Sequence, residues 1–440
     1  FSSLTSLAMP IMATALVQMA YNLTDMAWIG RVGSEAVTAV GTAGMYTWLS
    51  QGVVMFARMG GQVKVAHSLG EGNKEEAARY ASGALQLGIF LALCYAAVSV
   101  IFATPLIGFF GLENHHTAEE AVLYMRITCG CIIFMYLNVI FTAILTAAGD
   151  SKTSFQANVI GLAANIVLDP LLIFGIGPVP AMGAAGAAIA TITAQGIVTL
   201  VFLIVIRKDQ VIFDKVNIFA RTPMRYFKTM AKIGFPAAIQ ELIYCLISMG
   251  MTKLVVRWGD TGVAVQRVGS QIESISWMTA EGFGAAVNSF IGQNYGAQKY
   301  DRVKKGYLTA VRTMIAWGAF CTALLVLAPG PIFRLFIYEP DVVPLGIDYL
   351  RIIGCSQLFM CIELCTVGAF CGLGKTLPSS ILSVVFTSAR LPIAMALSST
   401  ALGINGVWWA FAVTSIIKGI VFFAGFLAVL KRMEKRQLLR

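Results

Sequence analysis

Charged side chains are scarce in this sequence: 32 Lys and Arg with 22 Asp and Glu make up only 12% of 440 residues. A soluble domain carries about 25%, so a soluble globular fold is excluded. Histidine is scarcer still, with three residues (His67, His115, His116), all in or beside loops. Without histidine, the spacings "CGC" (129–131) and "CIELC" (361–365) lack the four supported ligands that zinc needs. The nine cysteines all fall in apolar runs and read as small packing residues. The same shortage leaves no His, Asp or Cys cluster for an integral membrane enzyme. A nucleotide loop is missing too: "GLGKT" at 372–376 imitates the end of GxxxxGK[ST]. The first glycine of that motif falls on Ala369, and an apolar span precedes it where a strand is required. ATP is therefore not the expected power source. Nothing resembles a selectivity ring, and no loop is long enough for a dedicated protein partner.

Hydrophobic residues, by contrast, make up 58% of the chain. Twelve runs are long enough to cross a bilayer core of about 30 Å: 4–29, 37–57, 82–103, 122–147, 154–175, 183–206, 234–256, 263–289, 308–328, 349–371, 379–400 and 405–430. The first is too long and too polar at its end for a cleaved signal peptide. Because the chain begins at Phe1, a few native residues before it are expected. The net charge of +10 does not point to nucleic acid, because the bases alternate between loops. Lys74, Arg79, Lys152, the group from Arg207 to Lys232, Lys299 to Lys305 and the tail "KRMEKRQLLR" share one side. Mainly Arg31, Arg126, Arg257, Arg334 and Arg351 lie on the other. This positive-inside pattern predicts a multi-pass plasma membrane protein with both termini cytoplasmic, in secondary contact with anionic lipid.

The halves echo each other. Pro10 of "LAMP" and Pro236 of "KIGFP" are 226 apart. "GGQVKVAHSLG" from Gly60 pairs with "IGQNYGAQKY" from Ile291 at 231. Gly149 and Gly374 are 225 apart, and Gly183 and Gly403 are 220 apart. The predicted fold is therefore an all-α membrane protein of twelve transmembrane helices in two six-helix lobes, 1–215 and 216–440. An even number of spans per repeat gives both lobes the same orientation, with a pseudo-two-fold axis along the membrane normal. Such transporters bind substrate between lobes and rock them by alternating access.

The lobes differ in their buried charges. The second holds Glu241, Glu273, Glu281 and Glu363 beside Lys253, Arg267, Arg390 and Lys418, which can neutralise one another. The first holds Asp25 and Asp169 as deep acids without an evident basic partner. A lone carboxylate in hydrocarbon costs at least about 2.5–3.5 kcal/mol, so each needs a reason. Both lie toward the outer ends of spans that run in the same direction, and Asn165 shares a helical face with Asp169. Tyr124 and Thr191, on the fourth and sixth spans, come within reach. Two carboxylates in low dielectric repel, and the pair is relieved by taking up a proton or a Na⁺ ion. The plainer alternative is that Asp169 caps the break at "DPLLIFGIGP" and Asp25 caps its own helix end.

Six stretches, "DMAWIGRVGSEAVTAVG", "GGQVKVAHSLGEGNKEEAARY", "AAGDSKTSF", "NIVLDPLLIFGIG", "GAAGAAIAT" and "GQNYGAQKYDRV", resemble the multidrug and toxic compound extrusion (MATE) family over essentially the whole chain. The resemblance implies an antiporter expelling cationic amphipathic compounds against inward H⁺ or Na⁺, with no other cofactor. It is nearest the DinF-like branch, whose coupling site lies in the N-terminal lobe. That branch's bend-forming proline and essential aspartate match Pro10 and Asp25. Its fifth-span pair matches Asn165 and Asp169, and its accessory groups match Tyr124 and Thr191. Another branch's tenth-span acid falls here on Met360, its arginine on Cys371 and its seventh-span acid on Tyr244. The substrate cavity is expected to use Tyr21, Met45, Tyr136, Trp277 and Met278 as soft aromatic and thioether surface, with Glu241, Glu273 and Glu363 as its acids. The expected form is a monomer in the lipid bilayer whose partners are small cationic drugs. A flippase for lipid-linked precursors is the alternative, and it would need several unpaired bases.

Overall fold

The computed structural model describes residues 2–32, 34–109, 112, 114–175, 177–208, 213, 215–335 and 339–439. The first repeat comprises α1 (Ser2–Val32), α2 (Ser34–Gly70), α3 (Lys74–Ile101), α4 (Ala103–Gly108), α5 (His115–Gly130), α6 (Ile132–Ala147), α7 (Lys152–Pro170) and α8 (Ala184–Ile206). The second comprises α9 (Met224–Val255), α10 (Gly259–Gly296), α11 (Tyr300–Leu327), α12 (Pro329–Arg334), α13 (Val343–Gly354), α14 (Gln357–Gly372), α15 (Thr376–Ser398) and α16 (Ile404–Leu438). Eight of these helices are long and apolar enough to cross a membrane, among the described residues. Two more crossings are bent pairs, α5 with α6 at 44° and α13 with α14 at 47°. The long helices α2 and α10, of 37 and 38 residues, complete twelve. The protein is an all-α, multi-pass membrane protein.

Expected spans 122–147 and 349–371 run straight across both bends. Each bend falls at a Gly-Cys step, Gly130–Cys131 and Gly354–Cys355, where the helix ends and restarts. The "CGC" spacing is thus part of a repeated helix break. Backbone landmarks also correct one repeat pairing. Gly72 (φ +78) and Gln298 (φ +58) are equivalent turn residues after α2 and α10, and 298 − 72 = 226. The 28-residue helices α3 and α11 start at 74 and 300, again 226 apart. The pairing at 231 arose from a shared Gly-Gln dipeptide and is five residues out of register. Gly183 (φ +58, ψ −129) and Gly403 (φ +58, ψ −127) are near-identical caps of α8 and α16, in a region that L side chains rarely adopt.

The chain forms two compact units, 13–238 and 1–12 with 239–440. Each first helix changes unit along its length, α1 after residue 12 and α9 after residue 238, two residues beyond Pro10 and Pro236. A proline inside a helix removes one backbone hydrogen bond and crowds the preceding turn, so the ladder is interrupted beside each exchange. In unit 13–238 one apolar cluster gathers Tyr136, Phe141, Phe202 and Tyr226, and another gathers Ala39, Ile107, Met125 and Cys129. In the other unit the clusters centre on Tyr307, Phe422 and Phe426 and on Phe333, Tyr349 and Trp408. Large apolar residues such as Phe90, Leu93, Ile101 and Leu327 stay exposed, as lipid-facing surfaces require.

Candidate functional site

The site is built from the part of α1 after residue 12 and from α5, α7 and α8, all within unit 13–238. On α7 the buried positions Ser154, Ala157, Gly161, Asn165 and Asp169 form one stripe at helical spacing. Asp169 ends the regular part of α7, because Pro170 follows and a single π-helical turn, Leu171–Gly175, comes next. Two carbonyls of that turn are taken by the α8 approach: Met182 N donates to Leu172 O (3.0 Å) and Gly183 N to Ile173 O (3.1 Å). Gly186 lets α8 come this close, since a Cβ there would lie 2.4 Å from Leu172 O. The break that displaces the end of α7 therefore sets Asp169 against its neighbours on α1 and α8.

Asn165 Nδ2 donates to Asp169 Oδ2 at 2.9 Å, and both side chains are fully buried. The Asp25 carboxyl lies within hydrogen-bonding reach of Asp169. Two carboxyls can share a hydrogen bond only with a proton between them. Tyr21 lies against Thr191 and close to both acids, and Tyr124 faces Asp25, Asp169 and Tyr21. Four buried oxygens of the cluster make no hydrogen bond of good geometry: Asp25 Oδ1, Asp169 Oδ1, Asn165 Oδ1 and Tyr21 Oη. Buried oxygens normally find a partner. Next to them a small cleft is lined by Gln18, Tyr21, Asn158, Gly161, Ala194 and Gln195, among others.

Asp25, Asn165, Asp169, Tyr124, Thr191 and Tyr21 thus come together. Tyr136 does not join them: it is packed in the core, and its hydroxyl donates to Ser50 O at 2.9 Å. It can meet a substrate only if that packing opens. Met45 is half-buried on α2, and Pro10 lies in the segment of α1 that belongs to the other unit.

In unit 1–12 with 239–440 the buried charges are partnered. Lys418 Nζ lies 3.2 Å from Glu363 Oε1 and donates to Thr387 Oγ1 at 2.8 Å. Glu273 Oε2 accepts from Gln357 Nε2 at 3.2 Å, with Arg390 nearby. Arg390 donates to Thr414 (2.8 Å) and Ser415 (3.1 Å), and its guanidinium sits 5.2 Å over the Phe411 ring. Glu241 has a partner of its own, and Trp277 and Met278 are half-buried four and five residues after Glu273. Lys253 is exposed, and the Arg267 side chain lies outside the described residues. Gln357, Thr387, Thr414 and Ser415 were not singled out from sequence, since neutral residues in apolar helices carry no charge signal. Asn158 and Gln195 had a weak one, each standing a whole number of turns from Asn165 or Thr191.

A family model described as MatE matches residues 10–171 and again 236–396. The starts differ by 236 − 10 = 226 and the ends by 396 − 171 = 225, the displacement that the backbone landmarks give. A probable multidrug resistance protein NorM of Thermotoga maritima is 27% identical over 448 residues, covering 99% of this chain and 94% of its own. A FAD transporter of Shewanella oneidensis is 23% identical, covering 96% and 93%. Among solved structures, one described as MATE in the bent conformation has TM-score 0.90 at 23% identity, covering 99% of this chain and 96% of its own. Another, an outward-facing multidrug resistance MATE transporter, has TM-score 0.92 at 23% identity, with 98% and 96% covered.

Proposed function

This chain belongs to the MatE family of membrane transporters, and on that premise we propose that it is a secondary active antiporter. It exports cationic amphipathic compounds in exchange for H⁺ or Na⁺ bound at Asp25 and Asp169. It is a transporter and not an enzyme. The observation that carries the coupling proposal is the convergence of two carboxyls in a cluster with four unsatisfied buried oxygens, two of them the carboxyls' own. A proton satisfies one carboxyl oxygen. A Na⁺ ion takes oxygen ligands from Asp25, Asp169, Asn165 and Thr191, and Tyr124 and Tyr21 close the cluster.

In the proposed cycle the outward-open protein takes up the ion, which bends α1 near Pro10 and displaces the drug. Reorientation carries the ion inward, where it leaves and new drug enters. One charge falling through 100 mV gains about 2.3 kcal/mol, roughly a 50-fold concentration ratio, so modest gradients suffice. Similar folds solved under the descriptions bent and straight support a bend as the moving part. The relatives named for multidrug resistance support drugs as cargo, held by soft surface such as Tyr21, Met45, Trp277 and Met278. The proposed setting is the plasma membrane, with both termini cytoplasmic and the chain acting as a monomer. A lipid-linked precursor flippase would need unpaired bases, and Lys418 is already paired with Glu363.

The test is efflux of a fluorescent cationic dye by wild type and Asp25→Asn, under a pH gradient alone and a Na⁺ gradient alone. Export by wild type only, under one gradient, supports the reading and names the ion. Equal export by a normally folded Asp25→Asn protein overturns it.

A further inference from the structure

One basic cluster lies outside the transport site. Arg79 on α3 and Arg225 on α9, 146 positions apart in the chain, converge on a single phenol. Arg79 Nη1 donates to Tyr226 Oη at 3.3 Å and Arg225 Nη2 donates to the same oxygen at 3.2 Å. Tyr226 is itself 1% exposed and fixed edge-on against Tyr80, so it holds both guanidiniums in place. Two like charges sharing one neutral acceptor repel unless an anion joins them. Neither arginine is in an ion pair among the described residues, and the acids near Arg79 are Glu75 and Glu76 of its own first helical turn. Arg221, Lys228 and Lys232 add exposed positive charge on the same stretch of chain.

The segment leading into α9 is strapped beside this cluster. Gln86 Nε2 donates to both Ile218 O and Ala220 O at 2.7 Å, and Asn217 N donates to Ser82 Oγ at 3.2 Å. Ser82 and Gln86 stand where the apolar run of α3 begins, so the strap lies at the depth of the membrane boundary. It holds Phe219 out at 98% exposure, with Met224 at 65%. An exposed phenylalanine and methionine on a strapped backbone, beside arginines without an ion-pair partner among the described residues, combine an apolar anchor with a phosphate fork.

We propose that Arg79 and Arg225, with Phe219 and Met224, form a binding site for the phosphodiester headgroup of an anionic phospholipid in the inner leaflet. The guanidiniums take the phosphate oxygens through N–H groups not used by Tyr226. Phe219 and Met224 enter the boundary between headgroups and acyl chains, which a free phosphate would leave unused.

The experiment follows thermal stability of the purified full chain in neutral detergent during titration with short-chain phosphatidylglycerol, short-chain phosphatidylcholine or inorganic phosphate. Wild type is expected to be stabilised by phosphatidylglycerol and not by phosphatidylcholine. At about 1 kcal/mol per base near an anionic surface, losing both charges in Arg79→Gln/Arg225→Gln raises the half-saturating concentration about thirtyfold. Arg79→Lys/Arg225→Lys keeps the charge and loses the fork, and it should fall between; it also serves if the Gln double variant does not fold. Phe219→Ser should weaken phosphatidylglycerol without changing any response to phosphate. Equal stabilisation by inorganic phosphate would make this a free-anion site and overturn the lipid assignment. An unchanged phosphatidylglycerol response in both double variants would overturn the site itself. None of these outcomes depends on export, so the transport reading is tested separately.

Discussion

Replacing Lys418 by Met separates a structural role for the second lobe's charges from a coupling role. Lys418 is 3% exposed and pairs with Glu363, itself 6% exposed, at 3.2 Å, while donating to Thr387 at 2.8 Å. Methionine keeps the stem volume and removes the charge, leaving Glu363 uncompensated. Breaking a buried pair from one side costs about 3–5 kcal/mol, whereas replacing both members by apolar groups of similar size is often close to neutral. Lys418→Met should therefore lose about 3–5 kcal/mol of stability, and Lys418→Met/Glu363→Met should recover most of it. The coupling energy of the cycle should reach at least about 2 kcal/mol. The assay is unfolding of the purified protein in detergent for wild type, both single variants and the double. Dye efflux by the double variant is measured alongside, and it should persist, because the coupling carboxyls proposed here are Asp25 and Asp169. The reasoning fails if the single and double variants are equally unstable. It also fails if a well-folded double variant cannot export under either gradient, which would move ion coupling to Glu363.

Asn165→Ala removes the donor to Asp169 and one unsatisfied oxygen. A hydrogen bond to a charged group is worth about 1.5–3 kcal/mol, and this one supports the charged, ion-free Asp169. A proton-coupled protein should therefore reach half-maximal efflux at an H⁺ concentration at least about tenfold lower, whereas a Na⁺-coupled one loses the Asn165 oxygen and should need more Na⁺. Gly186→Ala and Gly406→Ala place a Cβ 2.4 Å from Leu172 O and 2.5 Å from Leu397 O. Both should destabilise by about 1–3 kcal/mol, read as equal shifts in thermal unfolding because the two contacts are repeats of one another. Lys304→Ala breaks the ion pair with Glu434 at 2.7 Å, where both side chains are 46% exposed. It should change stability by no more than about 1 kcal/mol in the same assay.

Much of the fold was legible because membrane crossing needs long apolar runs, which composition alone reveals. The bends at Gly130–Cys131 and Gly354–Cys355 were hidden, since hydropathy is continuous across them. So was the exchange of α1 and α9 between units, which depends on packing and not on local pattern. The cluster around Asp25 and Asp169 was legible because a carboxyl in an apolar helix stands out and Asn165 shares its face. The neutral partners of Arg390 and Lys418 were not, since a Thr or Ser in a membrane helix is common and its contacts are set by the neighbouring helix. Arg79 and Arg225 were visible only as topology signals; their convergence on Tyr226 is a tertiary fact.

The corrected repeat explains why a duplicated fold carries two unlike interiors. Adding each element's displacement, Asp25 corresponds to 25 + 226 = 251, Met251, and Asn165 to 165 + 225 = 390, Arg390. Asp169 corresponds to 169 + 225 = 394, Ala394, and Thr191 to 191 + 220 = 411, Phe411. Met251 and Ala394 are fully buried in one apolar cluster, with Phe411 packed against it. Arg390 lies over the Phe411 ring, so a guanidinium and an aromatic ring stand where the first repeat has an amide and a hydroxyl. Two carboxyls have become a thioether and a methyl, and an amide has become a guanidinium. These four positions offer a cation no carboxylate oxygen. At the positions compared, those on α1, α7 and α8 carry the oxygen donors that the proposed proton or Na⁺ site uses, and their equivalents in the second repeat do not.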